Sequence, residues 1–517
     1  MRVRNEKIFG LAARFLKQPG DWKTSIILTL PLLLLAWSNA AFAADDAVTR
    51  AMKLYEKRHY EAAASLLRAG LPSLEQGRQG SANLALGMIY LKNAVLHREL
   101  YQSATAASQD YLKKLAAAQG PARSRFVDLY LGDVLAETGK AGVAAIYLEK
   151  FSGLGTIEPR YRSIARICLG LCSFQNKDVQ KAKALWESVD ASDPEVKAEL
   201  AAAYSRAALA DRDPAKMLEE LLGVMKQAGK QPSMRMIKNM LTVYARSGQT
   251  ELGLELLKRA DLKSFSYREN LGKTKIITFY DPSLLGDAAT LYGRASIAFL
   301  EKAGADAASR DPAAFSLAQA HALFGSSDQS AKAAALALSS SQLPQQYKDR
   351  VRVWQGANLY LKNQAAEAAG VWEDLSRKQP GDPDLIAEIL FACGRLRIEC
   401  PKTVQQAVAV VEAGEGRKFS TLNAAVGKYY LGKQDLARAA SYLEAGRDKS
   451  NKNKIESNDP VTLVSLADAY FRTKKFSEAL EIYFEMSKQF PEVRQIQEAM
   501  QGVYAMEHKS AGDVKIN

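Results

Sequence analysis

Apolar and polar positions alternate with helical spacing near the C-terminal end, in LADAYFRTKKFSEALEIYFEMSKQFP. Leu466, Ala467 and Tyr470 share one helical face, Thr473 to Lys475 interrupts the pattern, and Phe476, Ala479 and Tyr483 share a second face before Pro491 ends the unit. Side chains three and four residues apart are neighbours on a helix, so the pattern predicts two short antiparallel helices. Small residues, Ala467 and Ala479, sit where the two backbones would approach. The pair alone cannot bury its apolar faces and needs a neighbour on each side.

The same layout recurs. LGDVLAETGKAGVAAIYLEKF carries Leu131, Gly132, Gly139 and Ala144; LGLCSFQNKDVQKAKALWESVDASDP carries Leu169, Gly170, Ala182, Trp186 and Pro194. QGANLYLKNQAAEAAGVWEDLSRKQP has Gly356, Ala368, Trp372 and Pro380, and VGKYYLGKQDLARAASYLEAG has Gly427, Tyr430 and Ala439. Weaker copies lie at Leu86–Asn93, Met240–Ala260 and Ala51–Leu67. The equivalent positions step through Gly87, Gly132, Gly170, Ala201, Leu241, Ala318, Gly356, Gly427 and Ala467. Steps of roughly 31 to 45 residues are the period of a helix-pair solenoid.

The units resemble tetratricopeptide repeats over most of residues 46–505. The expected fold is all-α, a superhelical solenoid of antiparallel helix pairs. Spacings often exceed that family's usual length, and Leu100 to Ala118 reads as a lengthened second helix, so irregular repeats are expected. Met240–Ala260 alone also resembles the pentatricopeptide family. One segment breaks the pattern: in LKSFSYRENLGKTKIITFYDPSLL, Thr274 to Tyr280 is β-branched and aromatic and reads as extended. The expected organisation is an N-terminal array over 44–262, a connector or hairpin insertion over 263–285, a C-terminal array over 286–505 and a flexible tail over 506–517. Arg447 to Pro460, rich in Lys and Asn, reads as a loop between repeats.

Residues 1–43 read differently. A basic leader (Arg2, Arg4, Lys7, Arg14, Lys17, Lys23) precedes the apolar run Ile26–Trp37, and Ala41-Phe42-Ala43 forms a small-x-small site. These are the three parts of a secretory signal, with cleavage expected after Ala43. Retention as an inner-membrane anchor is the alternative, although Pro31 and Asn39 weaken a span of about 19 residues. No Cys follows the apolar core, which argues against a bacterial lipoprotein. The expected location is periplasmic, or anchored and facing the periplasm.

Composition fits a folded helical chain: 33 Gly and 16 Pro in 517 residues leave few helix breakers. The net charge of +13 reduces to +9 beyond the leader, and no Lys/Arg run is long. A solvated surface of mixed sign is expected, and no nucleic-acid partner.

Candidate chemistry is sparse. Gly272-Lys273-Thr274 imitates the end of a phosphate-binding loop, but Tyr267 stands where its first glycine belongs. His59, His97, His321 and His508 form no metal-binding pair with one another or with Cys. Adjacent carboxylates such as Glu219-Glu220 point different ways on a helix. Cys168 and Cys172 fit two small residues at a helix contact, and Cys393 and Cys400 are a candidate disulfide that export would permit. Neither catalytic residues nor a cofactor or metal is expected.

The resemblance implies partner binding along a concave groove lined by the first helix of each pair. Transferred position by position, it designates Asp133, Glu137, Phe174, Lys238, Arg246, Tyr360, Lys428, Phe471 and Arg472. The function expected is a non-enzymatic scaffold of the cell envelope that binds a protein or peptide, in assembly, secretion or polysaccharide export. Two rivals remain: the superhelix of a lytic transglycosylase-like enzyme system, and a direct carbohydrate binder.

Overall fold

A computed structural model describes residues 47–117, 126–209, 212–259, 266–270, 276–380, 382–396, 398–413, 420–447, 459–490 and 493–510. The leader, the apolar run and the cleavage site lie outside the described residues. The chain opens with a helix pair, α1 (Ala47–Glu56) and α2 (Tyr60–Gly70), and then a 42-residue helix, α3 (Gln76–Ala117). Four pairs follow: α4/α5 (Val127–Glu137, Ala141–Ser152), α6/α7 (Pro159–Gln175, Val179–Glu187), α8/α9 (Pro194–Ala207, Pro214–Gln227) and α10/α11 (Met234–Ser247, Thr250–Arg259). An antiparallel hairpin, β1 (Ser266–Asn270) and β2 (Ile276–Tyr280), joins Ser266 to Tyr280 and Asn270 to Ile276. A long helix α12 (Ser283–Gly304) leads into α13/α14 (Arg310–Phe324, Ser327–Ser339), α15/α16 (Gln345–Leu361, Ala365–Lys378) and α17/α18 (Pro383–Leu396, Pro401–Glu412). The chain ends with α19/α20 (Ser420–Gly432, Leu436–Ala445), α21/α22 (Pro460–Arg472, Phe476–Ser487) and α23 (Val493–Ser510).

The pairs share one turn. Arg58, Gly139, Lys177, Gly229, Asn363, Gln434 and Lys474 all take positive φ, between 63° and 77°. The next residue's N–H then reaches back five residues, as in Lys140 to the Leu135 carbonyl and Lys475 to the Tyr470 carbonyl, both 2.9 Å. This closure satisfies carbonyls that a helix end would leave bare. A left-handed turn costs little at glycine, yet only two of these seven turns have one.

Small residues fix how closely each pair packs. A Cβ on Gly132 would come within 2.6 Å of Leu148, and one on Gly427 within 2.6 Å of Leu443. Ala201, Ala318, Ala467 and Ala479 are fully buried at matching places.

The superhelix is not open. Residues 76–117 form one helix, so Leu86–Asn93 is not the first helix of a pair: nothing between Gly87 and Ala117 breaks the helix. Helix α3 runs through the interior antiparallel to α12, with Gly87 against Leu300 and Gly286 against Tyr101. Its remaining faces meet both ends of the chain. Asn93 donates to Glu61 of α2 at 2.8 Å, Lys428 of α19 reaches Glu99 at 2.7 Å, Ser103 hydrogen-bonds Tyr483, and Gly502 packs on Tyr111. The rings of Tyr60 and Phe490 meet at a tilt with centroids 6.2 Å apart, so the first pair touches the end of the last. One hydrophobic core accordingly runs from Val48 to Val503 across the expected boundary at 263–285. The final helix continues to Ser510, into what was expected to be a loose tail. Among the described residues no helix is long and apolar enough to cross a membrane.

Candidate binding surface

The first helices of the N-terminal pairs bring acids and bases together. Asp133 and Glu137 lie one turn apart on α4, Glu199 and Arg206 two turns apart on α8, and Arg235 and Lys238 one turn apart on α10. Arg235 donates from Nε to Glu199 at 2.6 Å and from Nη2 to Asp133 at 3.1 Å. Lys238 Nζ lies 2.9 Å from Glu137 and 2.7 Å from Asp281, and Arg206 lies 2.6 Å from Glu137. Asp287 of α12 accepts from Thr242 at 2.5 Å. Three buried cations thus face five carboxylates. The negative surplus shows in the acids: burial pushes the Glu137 carboxyl up to about 7 against the pull of Arg206 and Lys238, and raises Asp287. Burial also pushes Glu199 up, but Arg235 outweighs it and holds that carboxyl at about 2.

The sulfur of Cys168 and the carboxylates of Asp133 and Glu199 lie within 4.8 Å of one another, a spacing that a metal could use. The Arg235 guanidinium already bridges both carboxylates, so the cation this set needs is part of the chain.

This burial corrects the groove assignment. Asp133 and Lys238 are enclosed, and the Glu137 side chain is 5% exposed, because ion partners arrive from two pairs further along the chain. Phe471 is also buried, its ring 5.6 Å from that of Phe476. Phe174 packs partly buried beside Trp186, and Tyr360 packs against the core of α15–α19. Lys428 is taken by Glu99, and Arg472 is tied to Asp468 at 2.8 Å. Arg246 is exposed. Where a free concave face was expected, α3 stands. Cys393 and Cys400 are neighbouring buried thiols, hydrogen-bonded but not joined, so the structure carries no disulfide there.

Sequence reasoning passed over the outer surface. Val143 and Ile146 on α5, Val179 on α7, Val224 on α9 and Leu252 on α11 are large apolar side chains in solvent, with Ile146 64% and Val224 62% exposed. Leu336 on α14 and Phe484 on α22 continue the habit in the second half. These seven lie on second helices, whereas Leu361, also exposed, ends the first helix α15 and exposed Leu154 follows α5. The signal was available: apolar residues stand outside the buried stripe marked by Ala144 and Leu148, or by Leu218 and Leu221.

Comparison with known proteins places a PPR repeat over residues 461–489, covering α21 and α22. No curated protein sequence matches the chain. Among solved structures, the chain is similar to the APC/C hetero-tetramer Cut9–Hcn1, at 12% identity over 93% of this chain and 99% of that one, with a TM-score of 0.27. Yeast Tom70 is 12% identical over 90% and 95%, with a TM-score of 0.30. The tetratricopeptide-sensor STAND protein PH0952 of Pyrococcus horikoshii is 10% identical over 82% and 77%, also at 0.30. Superpositions this loose identify neither a partner nor a site.

Proposed function

We propose that this chain, whose residues 461–489 carry a PPR-type repeat, is a non-enzymatic protein-interaction scaffold that is exported to the cell envelope and docks a protein or peptide partner. The observation that carries the reading is the exposure of large apolar residues on each of the second helices α5, α7, α9 and α11. Exposed apolar side chains favour association over solvation where they form a contiguous patch. The inner face supports the reading from the other direction, since its polar side chains bind one another and α3. Phe174, Tyr360, Arg246 and Arg472 retain some exposure and remain part of the candidate surface. Export rests on the basic leader, the apolar run and the Ala-Phe-Ala site.

The test is chemical cross-linking in cells, comparing the native chain with an Ile146→Asp, Val224→Asp double variant. Both residues are exposed, so melting should be unchanged while a specific cross-linked species disappears. Retention of every cross-linked species by the double variant would overturn docking on this face. N-terminal sequencing of the cellular protein tests export: a start at Ala44 supports it, and an intact Met1 in the cytosol contradicts it.

A further inference from the structure

A second ionic cluster lies on the far side of α3, and its balance is reversed. Arg58 from the α1–α2 turn, Lys92 and Arg98 from α3, Arg395 from α17 and Lys428 from α19 gather around Glu99, Glu388 and Asp459. Five cations face three carboxylates. The carboxylates are largely committed. Glu99 holds Lys428 at 2.7 Å, Asp459 caps α21 by accepting from the Thr462 N–H and hydroxyl at 3.1 Å, and Glu388 accepts from the Trp354 indole at 2.8 Å. Arg350 lies between Asp384 and Glu388, at 3.8 and 4.0 Å.

Three of the cations, Arg58, Lys92 and Arg395, are less committed than Lys428, which Glu99 holds, and Arg98, which donates to the Leu323 carbonyl at 3.1 Å. Arg58 is 3% exposed, and its Nε and Nη1 have no hydrogen-bond partner. Lys92 is 7% exposed and forms no ion pair among the described residues. Arg395 and Lys428 lie 5.7 and 5.5 Å from the centre of the same Phe391 ring, which brings two positive charges to one aromatic residue. Asn358 on α15, one turn beyond Trp354, is buried with neither amide atom partnered. Burial, opposed by the pull of Asp459 and aided by repulsion from Arg58 and Arg395, pushes the Lys92 ammonium down to about 8. An uncompensated buried charge costs several kcal/mol, and a polar group buried without a partner adds to that. The N-terminal cluster can relieve its surplus by keeping a proton on Glu137. Here arginines make up most of the surplus, and arginine does not give up its proton.

We propose that this interior cluster is a binding site for a small multivalent oxyanion of the phosphate class, held by Arg58, Lys92 and Arg395 between α3 and the inner face of the C-terminal pairs. Two negative charges match the surplus of two positive ones. Guanidinium forks and an ammonium are the donors that suit a tetrahedral oxyanion. The burial of Lys92 and Arg58 leaves no room for a polymer, so the ligand is small: inorganic phosphate, or the phosphate group of a small ester. The site is separate from the outer apolar surface, and neither inference depends on the other.

The experiment is thermal unfolding of the full chain at pH 7.5 in sodium phosphate, sulfate or chloride of matched ionic strength, with phosphorus NMR line broadening as a second measure of binding. A ligand bound only by the folded state raises the melting midpoint in proportion to its saturation. Phosphate should raise the midpoint above the chloride value. Lys92→Met and Arg395→Met should each weaken the half-saturating concentration by at least about tenfold. The exposed control Lys402→Ala should leave it unchanged. In chloride, Lys92→Met should melt no lower than the native chain, because it removes an unpaired charge. Equal effects of all three salts would signify general screening and overturn the site, as would an undiminished phosphate response in both Met variants. If neither Met variant folds, the absence of phosphorus line broadening with the native chain overturns it alone. A small phosphate ester that competes with inorganic phosphate would identify the ester as the source.

Discussion

A Cβ on Gly170 would lie 2.3 Å from Nε1 of Trp186, so the glycine leaves the space in which the indole rests. That indole donates to the Ile167 carbonyl, one turn before the glycine, at 3.0 Å. The arrangement recurs 186 residues later. A Cβ on Gly356 would lie 2.5 Å from Nε1 of Trp372, which donates to the Val353 carbonyl at 3.0 Å. Both tryptophans are buried. Gly170→Ala and Gly356→Ala should each cost about 1–3 kcal/mol, the usual penalty for forcing carbon into a filled contact. Urea denaturation midpoints check this, and unchanged midpoints for both would contradict the packing.

Arg235 is the hub of the N-terminal ion network. Arg235→Met would leave Asp133 and Glu199 facing each other in the interior. Breaking a buried pair on one side costs about 3–5 kcal/mol. The same measurement should show a loss of that size, and a Glu199→Gln, Arg235→Met double variant should recover part of it.

The Glu137 carboxyl gives a pH signature. It binds its proton more tightly when folded, at about 7, than at its ordinary 4.5. A raised acid contributes stability that is full below 4.5 and is lost as pH rises through 7. Glu137→Gln keeps a neutral side chain throughout. Its stability relative to the native chain should therefore increase from pH 5 to pH 8.5. A difference that is flat with pH would show that Arg206 and Lys238 keep Glu137 ionised.

The aromatic residues separate by burial. Phe471→Ala should destabilise by about 3–5 kcal/mol, because its ring is packed against Phe476. Phe174→Ala and Tyr360→Ala remove only partly buried rings and should cost less. Equal losses in thermal melting for all three would remove Phe174 and Tyr360 from the candidate surface.

The helix pairs were legible because they are local. Gly170 and Trp186 are sixteen residues apart, and a small residue followed by a large one at that distance can be read along the chain. Helix α3 was not legible. Lys92, Asn93 and His97 are polar, yet all three are buried. What encloses them comes from distant sequence: Glu61 for Asn93, the Tyr292 ring for His97, and the charges of Asp459 and Arg395 for Lys92. Asp133 misled for the same reason. Its place after Gly132 is that of a groove residue, and nothing nearby announces Arg235, a hundred and two residues away.

The route of α3 also imposes an order on synthesis. The helix emerges from the ribosome well before Tyr483, Gly502 and Glu507, which cover its later turns and follow it by nearly four hundred residues. An open array can fold repeat by repeat as it appears. Here α3 must wait for nearly four hundred more residues before its burial is complete, and loss of α22 and α23 would uncover its later turns while leaving it packed on α12.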